Sequence, residues 1–456
     1  MFAPQSLNSF SERFQQLKKV ATKEQLYAFL FDLPKGGDIH NHLDGLNLPE
    51  WWFRVATDKT LNGGKEFYTR TRNMNCEDND EPFLLLYHNI GQSAYNQLSN
   101  CCKSEYEPLS SLSEEQKRIW LSSLKLDAAD KGRDEFFEAI FPRLRHLRSG
   151  LEMMTELLVE NMKRFGAEGV RYMETIMTPF QFRDANGNSI DPEIVADRFV
   201  ERLNQPDALG TGVTVRFQAY VMRFAPDAEK QIEEAYAFIE KHRDLWVGVN
   251  LVGREDNAEG HPLRFLETFR KLRRTYGGIE LSIHAGEADE PNDYVRNTLL
   301  LGATRIGHGI NLISDSDTML LMRNNKYLIE INLISNQLLG YVPDLSVHPF
   351  PEYLRMGIPV CLNTDDRGIW DSNMTDEYYT AVTEFNLSWE EIIRLGINSL
   401  EHAFVQPEIK AKLLAEYQAD IERFEQQYST DNWQERLNKV QPISSGYSLQ
   451  KSGIKF

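Results

Sequence analysis

A parallel (β/α)₈ barrel is the fold class the sequence predicts, and three observations predict it. Eight short apolar runs recur after Pro34, amphipathic stretches lie between most of them, and several runs end in histidine or aspartate. The runs are Gly37–Leu43, Val170–Ile176, Val213–Met222, Trp246–Val252, Glu280–His284, Arg305–His308, Tyr327–Ile334 and Val360–Thr364. The clearest helical stretches between them are Ala228–His242 and Pro262–Tyr276. Strand alternating with helix in this way is the pattern of an α/β barrel, a TIM barrel that absorbs several hundred residues as one unit.

Around the barrel the chain divides further. Residues 7–31 read as a helix, with Phe10, Phe14, Leu17 and Val20 at three- and four-residue spacing, until Pro34 breaks the pattern. This predicts an N-terminal helical arm over 1–32, a barrel over 33–437 and a C-terminal extension over 438–456. The extension is rich in Ser, Gly and Lys and is expected to be loosely held. More than a hundred residues separate the first run from the second, far beyond a normal connecting loop. The helical stretches Glu114–Lys125 and Asp134–Phe141, and an Asn-rich segment from Arg70 to Asp80, predict an inserted helical lobe over 70–150, above the barrel.

Composition limits the function. Of the residues, 41% are hydrophobic and 26% charged, as in ordinary globular chains. Fifty basic against 68 acidic residues give a formal net charge of -18, and no Lys/Arg block offsets it. Such a surface repels phosphate backbones and anionic membranes, so neither nucleic acid nor membrane is an expected partner. The N-terminus has no uninterrupted apolar core of a signal peptide, and no stretch approaches the ~18 apolar residues of a membrane span. Cys76, Cys101, Cys102 and Cys361 form no CxxC pair. Neither a disulfide framework nor a thiolate zinc site is indicated, and the expectation is a reduced, cytoplasmic protein.

The chemistry gathers where the runs end. The first ends in His40-Asn41-His42-Leu43-Asp44-Gly45, and strand alternation points His40 and His42 the same way. Two neutral imidazoles on rigid backbone make half of a zinc site. The fifth run ends in His284-Ala285-Gly286-Glu287, the sixth in Gly307-His308-Gly309, and the eighth in Thr364-Asp365-Asp366. In a parallel barrel these ends converge on one mouth. A lone histidine is as often a hydrogen-bonded core residue, and an Asp-Asp pair is more often a turn or cap. The ordered set is much harder to explain so, since the chain has only ten histidines. Dinucleotide, Walker, GxSxG and HExxH signatures are absent, as is the pattern of cytidine-deaminase-like enzymes.

The segments PKGGDIHNHLDG, GVRYMETIMTP, VNLVGRED, SIHAGEA, RIGHG, EINLISNQ, the His348-Pro349 pair and LNTDD, in that order, cover roughly Leu33 to Tyr379. Together they resemble the adenosine deaminase branch of the amidohydrolase superfamily. ISNQLLGYVPDLSVHP and the long insertion look most like its growth-factor-type subgroup. The resemblance implies one Zn²⁺ per chain on His40, His42, His284 and Asp365, with water in the open position. It implies that His308 orients or deprotonates that water, that Glu287 protonates purine N1, and that Asp366 binds the attacking hydroxyl or N7. Gly253 N–H would reach N3.

The implied reaction is hydrolytic deamination of adenosine or 2′-deoxyadenosine to the inosine plus ammonia. The partner would be a small-molecule purine nucleoside, and a homodimer stays open. Asp44 would meet the ribose 5′-hydroxyl and repel a 5′-phosphate, disfavouring AMP, whereas adenine-base deaminases typically carry Glu there. Its structural alternative is a cap for the helix near Pro49. A basic residue brought to the mouth by the lobe, or Arg367 nearby, would weaken the exclusion of AMP. Arg367 replaces a usual Pro, and Arg254-Glu255-Asp256 replaces the commoner Asp-Glu. Another purine (AMP, adenine or a modified adenosine), another mononuclear amidohydrolase and a non-catalytic binder are the alternatives. Trp51, Trp52 and Trp370 are candidates to line the pocket, or core.

Overall fold

The computed structural model describes residues 4–76, 85–128, 131–256, 258–430 and 432–456. Eight parallel strands form the central sheet: β1 Gly36–His42, β2 Val170–Ile176, β3 Thr214–Met222, β4 Trp246–Val252, β5 Glu280–Ala285, β6 Arg305–His308, β7 Leu328–Ile331 and β8 Val360–Leu362. Each pairs with its sequence neighbours, and all eight predicted runs overlap one of them. Nearly every strand residue is buried, because the barrel interior packs one face and the helices cover the other.

The barrel closes between β1 and β8 with few ladder bonds. His42 N–H donates to Asp365 O at 3.2 Å, and Asp365 N–H to His40 O at 3.1 Å. Side chains complete the seam. Asn363 Oδ1 accepts from Ile39 N–H at 3.0 Å, and Asp38 Oδ2 accepts from the Thr364 hydroxyl at 2.6 Å and its N–H at 3.1 Å.

Three boundary expectations need correcting. The predicted helix over 7–31 is two helices, Pro4–Val20 and Lys23–Asp32, because Thr22 forms a capping box with Gln25. They are no free arm: the Phe10 and Phe14 rings lie 4.6 and 5.5 Å from that of Trp389. The C-terminal extension is also packed. A helix over Gly446–Ser452 buries Tyr447, whose N–H donates to Asp371 O at 2.9 Å and whose hydroxyl donates to Gln337 Oε1 at 3.1 Å.

The inserted lobe is not wholly helical. It contains a three-stranded antiparallel sheet (Phe67–Arg70, Asn89–Gly91 and Tyr106–Pro108), with helices including Glu114–Ser122. Residues 77–80 of the Asn-rich segment lie outside the described residues. A disulfide joins Cys76 to Cys101 across Cα atoms 5.8 Å apart. The expectation that the cysteines are all reduced fails for this pair. Disulfides persist in oxidising compartments, so the cysteines no longer argue for a cytoplasmic one. Among the described residues no helix is long and apolar enough to cross a membrane.

From the lobe, a π-helical turn over Phe136–Ile140 extends above the barrel mouth. It is fastened at two points: Arg133 clamps Asp289 with bonds of 2.7 and 2.8 Å, and Arg254 reaches Asp134 at 3.0 Å. Arg254, a departure from the family pattern, therefore serves the contact between lobe and barrel.

Candidate active site

The nine residues singled out in the sequence come together at the C-terminal ends of the strands. Eight of them line one cavity of about 300 Å³, and His40 lies buried beneath it. Larger clefts, of about 1030 and 790 Å³, lie against β2 and β3 and beside the lobe, away from these groups. The smaller cavity is mostly apolar, walled by Ile176, Tyr220, Met222, Phe224 and Val252 and roofed by Phe136, Phe137 and Phe141. The lobe thus supplies the roof. The tryptophans do not line it: Trp52 is buried in the core, and Trp370 packs behind Phe136 with ring centroids 5.0 Å apart.

Ligand atoms of His40, His42, His284 and Asp365 all lie within 4.8 Å of one another. The Nε2 atoms of His42 and His284 are 3.2 Å apart, and Asp365 Oδ1 lies 3.4 Å from His42 Nε2 and 3.6 Å from His40 Nε2. The outer nitrogens are held from behind. His40 Nδ1 sits 2.6 Å from Glu330 Oε2, and His284 Nδ1 sits 2.8 Å from Asn250 Oδ1. Each acceptor draws the ring proton to Nδ1 and turns the Nε2 lone pair inward, as metal-ligating histidines require. His40 Nε2 and Asp365 Oδ1 are buried with no hydrogen-bond partner. Three imidazoles and one carboxylate converging in this way suit a divalent cation such as zinc.

The electrostatics agree with that donor set. Burial disfavours charge on His40, yet the neighbouring Asp365 and Glu330 carboxylates push the imidazole up to about 10. Burial pushes His42 down to about 4 against the pull of Asp365, and takes His284 well below its ordinary range. Without a metal the carboxylates draw charge onto His40 alone, while His42 and His284 stay neutral. A cation satisfies both.

Backbone geometry aims the groups. His308 and Asp365 have φ of +64° and +52°, values that non-glycine residues rarely adopt and that concentrate at functional sites. Gly253, at φ +100°, could carry no side chain, since a Cβ would meet Met222 Sδ at 2.6 Å and Phe224 Cε1 at 2.8 Å. Gly253 itself lines the cavity wall. Gly45 presses so closely on Asp366 that a Cβ would overlap the carboxylate.

Two carboxyl groups are shifted towards neutrality. Burial, then the charge of Asp365, raises both Glu287 and Asp366 well above the ordinary carboxylate range. Glu255 is the residue that sets Glu287 in place, accepting from Gly286 N–H at 2.9 Å and Glu287 N–H at 3.1 Å. His308 lies across from Glu287, with Nδ1 3.5 Å from Oε1, and burial takes its imidazole down to about 3.

At the far end of the cavity the structure departs from expectation. Asp44 does not stand alone. Arg148, near the C-terminal end of the lobe, donates to Asp44 Oδ2 at 2.8 Å, and Gln181 Nε2 lies 3.4 Å from Oδ1. Arg367 is not the basic residue at the mouth. It is buried against Phe165 at 3.7 Å, donates to Asn161 Oδ1 at 2.8 Å and faces Glu168 at 3.5 Å. Asp44 also makes no cap for the helix at Pro49, whose N-cap is Leu48.

Sequence reasoning missed Glu330, Asn250, Glu255 and Arg148. A carboxylate inside the apolar run Tyr327–Ile334 was a usable signal for Glu330, which also pairs with fully buried Arg305 at 2.6 Å. Arg305 in turn holds Glu174 at 2.8 Å, so the support of His40 continues across the barrel.

The comparisons with known proteins fit this geometry. A family model described as adenosine deaminase matches residues 124–419. The adenosine deaminase of Plasmodium falciparum is 28% identical over 292 residues, covering 63% of this chain and 76% of that one. The Enterococcus faecalis adenosine deaminase is 32% identical over 248 residues, covering 54% of this chain and 70% of its own. Among solved structures, adenine deaminase from Arthrobacter aurescens superposes with a TM-score of 0.62 at 21% identity, over 85% of this chain and 99% of that one. The Arabidopsis N6-mAMP deaminase does so at 0.61 and 18%, over 86% and 99%. These two share its fold. By the family match and the Enterococcus relative, the chain belongs to the adenosine deaminase family of metal-dependent hydrolases.

Proposed function

We propose that the protein hydrolyses the 6-amino group of adenosine or 2′-deoxyadenosine, giving inosine or 2′-deoxyinosine and ammonia, with one zinc ion per chain. The observation that carries this is a neutral-leaning Glu287 sharing a small apolar cavity with the His40, His42, His284 and Asp365 cluster. His40, His42, His284 and Asp365 would hold the zinc, which would lower the pKa of a water towards ~7 and so supply a nucleophile at neutral pH.

The chain's own residues do the rest. Met222, Phe224 and Val252 exclude water from the purine faces, and Gly253 N–H donates to N3. Glu287, protonated, donates to N1 as the C6–O bond forms and electrons enter the ring. Asp366 receives a hydrogen bond from the attacking oxygen or from protonated N7. The proton on the new C6 oxygen then passes by way of Asp366 to the amino nitrogen, and ammonia leaves as the C6–N bond breaks and the C6=O bond forms. At the ribose end, Asp44 accepts from the 5′-hydroxyl, a contact that free adenine cannot make.

A second reading is supported by Arg148. Its ion pair neutralises the carboxylate that would repel a 5′-phosphate, so AMP or a 5′-extended nucleoside loses the electrostatic penalty. Solved neighbours include an N6-mAMP deaminase and a protein complexed with IMP. Loss of adenosine absorbance in the ultraviolet with metal-replete protein, run beside AMP and adenine, tests both readings. No turnover of any of the three refutes them together.

A further inference from the structure

The position of one proton decides how His308 can act. Protonated on Nε2, the ring donates a hydrogen bond into the cavity and orients the attacking water. Protonated on Nδ1, it presents a lone pair at Nε2 and can remove a proton from that water. We infer that a relay from the Phe350 backbone N–H through His348 and Asn336 fixes His308 as the Nε2–H tautomer. His308 is then an orienting donor and not a base. The assignment of this role rests on the deaminase reading; the relay does not.

The relay begins at a group with no choice. A backbone N–H can only donate, and that of Phe350 lies 3.1 Å from His348 Nδ1. His348 Nδ1 must therefore accept, which leaves the ring's proton on Nε2. That atom lies 3.1 Å from Asn336 Oδ1. With Oδ1 accepting there, the amide presents Nδ2 to His308 Nδ1 at 3.0 Å. An amide turned the other way would set two donors against each other at His348. Nδ2 can only donate, so His308 Nδ1 accepts and its proton sits on Nε2.

The surroundings reinforce the chain. Asn332 Nδ2 also lies 3.2 Å from His308 Nδ1, so the amides around that atom present donors to it. His308, Asn336 and His348 are all buried, and burial takes the His348 imidazole down to about 3, so that ring carries no second proton at neutral pH. The helix over Leu333–Leu338, which carries Asn336, is held by Glu377, whose carboxylate accepts from Leu333 and Ile334 N–H at 3.0 and 3.2 Å. Asn336 and His348 are thus positioning residues, acting on the reaction through His308.

The test uses the metal-replete full chain with ¹⁵N-labelled histidine. Two-bond proton–nitrogen spectra distinguish the tautomers, and His308→Gln identifies the signal. The expected wild-type spectrum has His308 protonated on Nε2; protonation on Nδ1 overturns the inference, with no variant or substrate needed. The second arm is Asn336→Asp. A carboxylate only accepts, so it takes the His348 proton and demands Nδ1–H from His308, reversing the tautomer. Imposing the wrong tautomer on a catalytic histidine costs about 10²–10⁴-fold in kcat. We expect a loss of that order for adenosine, with KM within about threefold. A reversed ring that keeps wild-type kcat refutes the donor role. Wild-type protein without adenosine turnover counts against the deaminase reading alone, because the spectra still decide the relay.

Discussion

Replacing Arg148 by Ala separates the two substrate readings. In the wild type Arg148 Nη1 lies 2.8 Å from Asp44 Oδ2, with side chains 26% and 8% exposed. The pair is partly sheltered from water, so its loss matters more than that of a surface ion pair. A charge-assisted bond of this kind contributes about 1.5–3 kcal/mol. Without Arg148 the Asp44 carboxylate faces the 5′ end of the substrate bare. It accepts from a ribose hydroxyl as well as before, but meets a phosphate with the same sign of charge. The preference for adenosine over AMP should rise by about 10- to 150-fold, the ratio equivalent to that energy. The assay is kcat/KM for adenosine and AMP in both proteins, with inhibition constants for inosine and IMP where turnover is slow. An unchanged ratio refutes the claim that Arg148 neutralises Asp44 for the substrate. A fall in adenosine turnover alone would place Arg148 on the ribose.

Further outcomes are expected for the acid, the metal site and the lobe. Glu287→Gln keeps the metal and loses about 10²–10⁴-fold in kcat, because an amide cannot deliver the N1 proton; near-normal turnover would remove Glu287 from that role. Since burial raises its pKa and favours the acid form, the alkaline limb of the wild-type kcat profile should mark the loss of the Glu287 proton and disappear in Glu287→Gln. Elemental analysis should give one zinc per chain, and Glu330→Gln, which weakens the hold on His40 Nδ1, should loosen zinc by about 10–100-fold in chelator competition. Cys101→Ser opens a loop of sequence separation 25 and should weaken the lobe by about 3 kcal/mol, seen as faster proteolysis within it at unchanged metal content.

Much of this was legible in the chain. The strands showed because a sheet buried on both faces writes continuous apolar runs, and His40 and His42 showed because period two puts them on one face. What escaped depends on placement across long separations. Arg148 reaches Asp44 over 104 residues, and nothing local to either announces the pair. The lobe sheet has strands of three and four residues, too short for alternation to register. Cys76 and Cys101 obey no spacing rule, so their bond follows only from the lobe that folds them together. Glu330 stood between: its charge in an apolar run was visible, but not which imidazole it would hold.

The seam between β1 and β8 gives the metal site a mechanical meaning. Asp365 exchanges backbone hydrogen bonds with His40 and His42, the residues whose side chains converge with its own. The last strand is thus stitched to the first at the point where the ion would bind. A metal there would act as a clasp on the barrel, adding its hold to the backbone and side-chain bonds of the seam, and the seam could not part without scattering the ligands. Chelation should therefore unzip this protein along one line, with amide exchange quickening first at 36–42 and 360–366 while the opposite wall, β3 and β4, stays shut.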